Sequence, residues 1–188
     1  MSSQDASNKK YEEFVYVLGI KRRTRTTTIK NKYGDILYGL GQRFLNVLEI
    51  LIEDDAIFEI GSKISINVKD RTKIESVLGR ISYKNININA TNEISSILES
   101  LVVDTEEKFV HFINTAGPIT YRINALEMIP GIGKKLTKNV IEEREVEKFE
   151  NFDDIEKRTG CSDIVKNIAR RIQDELEENA SMNLFVKK

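Results

Sequence analysis

The chain carries one cysteine, Cys161, one histidine, His111, two prolines and no tryptophan. A lone cysteine excludes an internal disulfide and points to a reducing compartment. One cysteine and one histidine cannot make a zinc site of ordinary composition. No apolar run nears the roughly 18–20 residues that cross a bilayer, and the opening MSSQDASNKK has no apolar signal core. A cytoplasmic protein without membrane attachment is therefore expected. A phosphate loop of the nucleotide-hydrolase type and a nucleophile elbow are both missing. His111 lies in an apolar helical stretch and is expected to pack rather than catalyse. Glu53, Asp54 and Asp55 read as a strand end as readily as a metal site. No lysine or aspartate is marked as poised beside a base pocket. The expectation is a protein with no enzymatic activity, no cofactor, no metal and no small-molecule substrate.

What is present is a soluble globular composition: 188 residues, 40% hydrophobic and 31% charged. Isoleucine, lysine and glutamate are abundant while cysteine and methionine are scarce, a thermophile-like mix. The net charge is −1, but it is unevenly spread. Residues 1–90 hold 15 Lys and Arg against 11 Asp and Glu; residues 91–188 hold 14 against 19. Any contact with nucleic acid must therefore use local patches.

The two halves also differ in period. FVYVLGI (14–20) is rich in β-branched and aromatic residues and predicts a strand. FLNVLEILIE (44–53) fits a strand or a short helix, and the glycines before it with the aspartates after it favour strand. KISINVK (63–69) alternates, with Ile64, Ile66 and Val68 on one face. IESVLGRISY (74–83) predicts one more strand. Short strands packed into so little chain suggest a small barrel over 11–90, after a disordered tail over 1–10.

Beyond residue 90 the pattern becomes helical, giving an expected all-helical domain over 91–178 and a tail over 179–188. Thr91 or Asn92 can cap a helix to Val103 with Ile94, Ile97, Leu98 and Leu101 as its stripe. Asp104 can cap a second helix. Pro118 suits the first turn of a third, running toward Met128. The expected fold class is α+β: a small β-barrel followed by helices.

EMIPGIGKK (127–135) then stands out. Pro130 disfavours helix at Ile129 and stops the preceding helix. Gly131 permits a positive φ, and Gly133 permits close approach at the start of the next helix. Ile132 turns inward. The amides of Ile132, Gly133 and Lys134 are expected to face outward at a helix N-terminus, an anion site ringed by Lys134, Lys135 and Lys138. The stretch resembles the helix-hairpin-helix motif, which implies binding to a sugar-phosphate backbone. Thr137 departs from the small apolar residue common there. A weaker second turn, Thr159–Asp163, has Asn151 as the cap of its first helix and Asp163 or Ser162 as the cap of its second. It lacks the glycine pair, carries Asp163 where a phosphate would sit, and reads as structural. Arg170 and Arg171 lie within reach of a backbone.

KRRTRTTTIKNK (21–32) holds six basic residues, Lys21, Arg22, Arg23, Arg25, Lys30 and Lys32, and no acid. Its threonines add hydroxyl donors, so the segment is a candidate phosphate-binding loop. Tyr33, Tyr38 and Phe44 are nearby aromatics able to stack bases, with packing as the commoner role.

Five stretches carry a resemblance across residues 11–176: YEEFVYVLGI, LYGLGQRFLNVLEI, RISY, EEKFVHFINTAGPITYRINALEMIPGIGKKLTKNVIEER and FENFDDIEKRTG. Together they resemble the archaeal DUF655 family. The resemblance implies an OB-fold-like N-terminal barrel, a C-terminal helix-hairpin-helix domain and no known enzymatic activity. It favours RNA over DNA as the partner, with the ribosome as a candidate carrier. Asn124 stands where histidine is expected. Two other readings remain open: a duplex-DNA-binding accessory in repair or replication, and a protein-interaction scaffold with a vestigial hairpin.

Overall fold

The computed structural model describes residues 11–29, 32–86 and 94–187. The expected N-terminal tail, Lys30 and the cap candidates Thr91 and Asn92 lie outside the described residues. The chain divides into two compact units, one comprising Met1–Ile94 with Phe185–Lys188, the other Ser95–Leu184.

The first unit is a five-stranded antiparallel sheet forming a curled half-barrel. Its strands are β1 (Phe14–Arg25), β2 (Tyr33–Gly41), β3 (Val47–Ile52), β4 (Lys63–Ser65) and β5 (Ile74–Arg80), in the order β4-β1-β2-β3-β5. A meander of β1, β2 and β3 is thus flanked by later strands on each edge. All four pairings are antiparallel, so the edge strands β4 and β5 run in the same direction. Val15, Val17, Leu37, Leu48, Ile50, Ile52, Ile66 and Ile74 form one core cluster. Their mutual burial is the main stabilising term of this unit.

The central strand β2 is absent from the sequence reading, where its glycines read as turn signals. They serve close approach instead. A Cβ at Gly39 would lie 2.7 Å from a Val15 methyl on the neighbouring strand. The expected strand over 63–69 ends early, at Ser65. The Asn67 side chain accepts from the Lys69 amide at 3.1 Å, and its carbonyl accepts from Arg71 at 2.9 Å. That local turn outcompetes the ladder and leaves Val68 76% exposed.

The second unit contains five helices: α1 (Ile94–Asp104), α2 (Glu106–Thr115), α3 (Lys134–Val146), α4 (Phe152–Thr159) and α5 (Ile164–Leu176). Ile97, Leu98 and Leu101 are buried along α1, as their spacing predicts, and Ile94 is buried at its start. Asp104 ends α1 and does not cap α2, whose N-cap position is Thr105. His111 is exposed, not packed.

This unit is not all-helical. Where Pro118 predicts a helix, the chain forms a small antiparallel hairpin of β6 (Pro118–Thr120) and β7 (Ile123–Asn124), followed by a 3-10 turn over Ala125–Met128. Ile119, Thr120 and Tyr121 are β-formers, and Asn124 starts the next element with its own capping box. The expected C-terminal tail is docked. The Arg171 guanidinium donates to the Met182 carbonyl at 2.5 Å, and the Leu184 amide donates to Glu175 at 2.8 Å. Phe185 is buried, and the Lys187 amide donates to the Phe44 carbonyl at 3.0 Å.

Candidate nucleic-acid interface

The turn before α3 is built from its N-terminal side. The Asn124 side chain accepts from the Leu126 amide and the Glu127 carboxylate accepts from the Asn124 amide, each at 3.0 Å. This reciprocal cap explains asparagine at a position where histidine is expected. It fixes the 3-10 turn and sends Leu126 and Ile129 into the interior. Gly131 then adopts φ +83°, and an added Cβ would meet the Asn167 side chain at 2.7 Å. The positive φ favours glycine there, and a side chain would in addition have to displace the Asn167 amide. Ile132 is buried, as expected.

Gly133 is the N-cap of α3, in extended conformation, with no side-chain cap bond. An added Cβ there would meet nothing within 4 Å. Its lack of a side chain therefore serves no packing need of the chain itself and leaves the helix end open. Lys134, Lys135 and Lys138 are exposed around it. Lys138 also forms an i,i+4 pair with Glu142 at 3.5 Å, both ends well exposed, which holds it only weakly.

One expectation needs correction. The Ile132 amide donates to the Ile129 carbonyl at 3.0 Å and is not offered outward. Among the described residues, the amides of Gly133 and Lys134 have no acceptor. The donor set at this end begins at Gly133.

The starts of α2, α4 and α5 differ in one respect. Helix α2 has Glu106 and Glu107 in its first turn, and α4 has Asp153 and Asp154. The first amide of α4, that of Phe152, donates to the Glu106 carboxylate at 2.6 Å. The first amide of α5, that of Ile164, donates to the Glu156 carboxylate at 2.9 Å. Helix α3 has no acid in its first turn and no capping side chain. Its positive dipole end carries no charge from the chain to complement it.

The basic segment divides into parts with different fates. Lys21, Arg22, Arg23 and Arg25 belong to β1, which extends well past the predicted strand. The register slips between Lys21 and Thr24. At that irregularity Arg22 is committed to structure. Its guanidinium donates to the buried Asp35 carboxylate at 2.6 Å and to the Ala56 carbonyl at 2.7 Å. The Arg23 amide donates to Asp35 at 2.9 Å and the Asp55 amide at 3.1 Å. The Arg23 amide and the Arg22 guanidinium hold the Asp35 carboxyl below its ordinary pKa against the effect of burial. Arg22 is thus removed from the phosphate-binding set.

Three of the threonines are also committed. Glu49 is fully buried in β3 and accepts from the amides and hydroxyls of both Thr27 and Thr28, at 2.5–3.0 Å. Burial pushes the Glu49 pKa up, but the Thr28 hydroxyl and the Thr27 and Thr28 amides outweigh it, and the net shift is downward. The Thr26 hydroxyl donates to the Ile29 carbonyl. Of the four threonine hydroxyls of this segment, those of Thr26, Thr27 and Thr28 are thus engaged within the chain, and that of the half-buried Thr24 is not. Arg23, Arg25 and Lys32 remain exposed, while Lys21 is half-buried. Of the neighbouring aromatics, Tyr38 is core, Phe44 is half-buried beside Arg43 and Lys187, and Tyr33 is exposed.

Asp35 escaped the sequence reading because it lies in β2, which that reading lacks, and Glu49 because its run was read only for its strand. A signal existed for Glu49: the run VLEILI is apolar on both faces, as in a strand covered on both sides, and a carboxylate buried within it needs several donors. Arg171, a candidate for backbone contact, is buried on Glu175 at 2.8 Å and on the Met128 carbonyl at 3.0 Å. Arg170 is exposed.

The sequence from Tyr11 to Lys187 matches the family model "Protein of unknown function (DUF655)". This chain belongs to the DUF655 family. It is 36% identical over 154 residues to the uncharacterized protein MJ0038 of Methanocaldococcus jannaschii, covering 81% of this chain and 70% of that one. It is also similar to the crystal structure of Af1531 from Archaeoglobus fulgidus, a DUF655 protein. The TM-score is 0.78 at 28% identity, over 94% of this chain and 100% of that one. Among the described residues of this DUF655 chain, no helix is long and apolar enough to cross a membrane.

Proposed function

We propose that this DUF655 chain is a non-enzymatic nucleic-acid-binding protein that grips the sugar-phosphate backbone, with RNA favoured over DNA. One observation carries the reading: the N-terminus of α3 presents unpaired amides and three exposed lysines, with no carboxylate of its own to fill it. Such an end suits a phosphate. The helix-hairpin-helix reading of residues 124–146 is supported by the buried Ile132 and by the positive φ at Gly131. The OB-like reading of the first unit is supported by its β1-β2-β3 meander with β4 and β5 on opposite edges. Arg23, Arg25 and Lys32 are a second, independent contact region on that unit. The preference for RNA, the ribosome as carrier and a cytoplasmic location rest on the family resemblance. Duplex DNA is the competing ligand, since backbone contact alone does not separate the two.

The test is a salt series of binding to labelled single-stranded RNA, duplex RNA and duplex DNA. We compare wild type, the Lys134→Ala/Lys135→Ala protein, and a control changed at Lys157 and Lys166 near the second turn. The double change at 134 and 135 lowers affinity by about tenfold or more and lowers the log–log salt slope by about 1.4–1.8. The control leaves both unchanged. Equal salt slopes for wild type and the first variant would make the hairpin a packing device. Stronger binding to duplex DNA than to either RNA would replace the RNA reading.

A further inference from the structure

The β6–β7 hairpin poses a question of its own. A two-stranded hairpin is marginal unless it buries a face. Here Pro118, Ile119, Thr120, Tyr121, Arg122 and Ile123 are all exposed, and Tyr121 is 102% exposed at the tip. Its base is fixed: Pro118 pairs with Asn124, the Ala125 amide donates to the Gly117 carbonyl at 3.0 Å, and Asn124 is locked in the capping box. An anchored hairpin that presents an aromatic and a guanidinium to solvent contributes little to the core.

Between this hairpin and α3 lies a hollow of about 370 Å³, within the size range of small-ligand pockets (about 300–1,000 Å³). Tyr121, Arg122 and Ile123 line it from the hairpin, and Lys134, Thr137 and Lys138 from the helix. Its two acids are already engaged: Glu127 accepts from the Asn124 amide and Glu142 pairs with Lys138. Thr137 is 5% exposed, and its hydroxyl has no hydrogen-bond partner. Among the described residues, the other buried side-chain polar atom without a partner is the Asn46 amide nitrogen, in the first unit. Buried polar groups are normally satisfied, so the hydroxyl of a residue lining the hollow is left for a water or another molecule to satisfy once the wall shifts to admit it.

We propose that this hollow receives one unpaired base of a strand whose phosphate sits at the N-terminus of α3. Tyr121 stacks on the base, Arg122 and Lys138 hold the flanking phosphates, and the Thr137 side faces the base edge. This rests on the backbone-binding reading above and names the ligand of that same end of α3: a nucleotide free of its pairing partner. A continuous duplex keeps its bases inside the stack and cannot fill the hollow without opening.

The experiment uses the full chain with two blunt-ended RNA duplexes, identical except that one carries a single bulged 2-aminopurine. Wild type, Tyr121→Ala, Tyr121→Phe and Lys134→Ala/Lys135→Ala are compared. Wild type prefers the bulged RNA and changes its fluorescence. Tyr121→Ala loses about tenfold on the bulged RNA, keeps its affinity for the paired one, and keeps its salt slope. Tyr121→Phe behaves as wild type, because the ring is retained. Tyr121 is fully exposed, so its replacement leaves melting unchanged. If Tyr121→Ala binds the bulged RNA as wild type does, or weakens both RNAs equally, the base site is wrong. The backbone reading then stands or falls separately on the lysine variant. If wild type binds neither RNA, both readings fall together.

Discussion

The second unit contains two turns that each lead into a helix, and they differ in what fills the start of that helix. In the turn before α3 the helix begins at an open glycine, with three lysines around unpaired amides. In the turn before α5 the Glu156 carboxylate already accepts the Ile164 amide, and Asp163 adds a second negative charge. Asp163 adopts φ 55° and forms no side-chain cap bond; its carboxylate reaches Lys166 at 3.4 Å instead. The expectation that Asp163 or Ser162 caps α5 through its side chain is therefore replaced by a cap from Glu156. The turn is further tied down by the Asn139 amide, which donates to the Thr159 carbonyl at 2.8 Å, and by Arg158. That guanidinium contacts the Glu143 and Glu147 carbonyls and lies 4.5 Å from the Phe149 ring centre. A helix start is an anion site only where the chain does not supply the anion.

The same device recurs in the first unit. Glu49 fills the donors of Thr27 and Thr28, Asp35 those of Arg22 and Arg23, and Glu12 the amides of Arg43 and Phe44 at 2.8 and 2.7 Å. Runs that look cationic and donor-rich in sequence are partly neutralised by buried acids distant in the chain.

The largest effect on this comparison comes from the glycines of the first turn. Gly131→Ala forces a side chain into φ +83° and against Asn167, and costs about 1–3 kcal/mol of stability, read by denaturant unfolding. Gly133→Ala adds a methyl in open space and stays within about 0.5 kcal/mol. Nucleic-acid affinity falls in Gly133→Ala all the same, because the methyl occupies the approach to the amides. Equal stability losses at the two glycines would show that Gly133 is also needed for the fold.

Removing the self-supplied anion is next. Glu156→Ala leaves the Ile164 amide without its acceptor and costs about 1–2 kcal/mol, read by thermal melting. Nucleic-acid binding stays unchanged, since Asp163 still repels phosphate. A gain in affinity would mean that Glu156 alone separates the two turns.

In the wild-type chain an effect confined to acid concerns the first unit. Asp35 and Glu49 both titrate below their ordinary values in the folded chain. Unfolded, they titrate near about 3.9 and 4.3. Depressed carboxylates contribute stability that is present above the unfolded values and lost as pH falls through the folded ones. Unfolding midpoints should hold from pH 7 to about 5 and drop below about 4. In Glu49→Gln the acid drop is smaller, and the starting stability is lower by about 1–3 kcal/mol. An acid profile identical to wild type would remove Glu49 from the pH response.

The sequence by itself determined the elements whose signals are local. β-Branched and apolar runs bounded by turn residues place β1, β3 and β5, the apolar spacing places α1 and α5, and Pro130-Gly131-Ile132-Gly133 defines the turn with Ile132 inward. Tertiary structure alone decided whatever depends on a partner distant in sequence. The glycines of β2 signal a turn until Val15 is seen to need the space. Arg22, Thr27 and Thr28 look available until Asp35 and Glu49 are brought beneath them. The two turns of the second unit differ because Glu156 reaches one helix start and no carboxylate caps the other. Periodicity encodes which face of an element is buried, but it carries no information on which charge the fold sets against which donor, and that pairing is what leaves the start of α3 open.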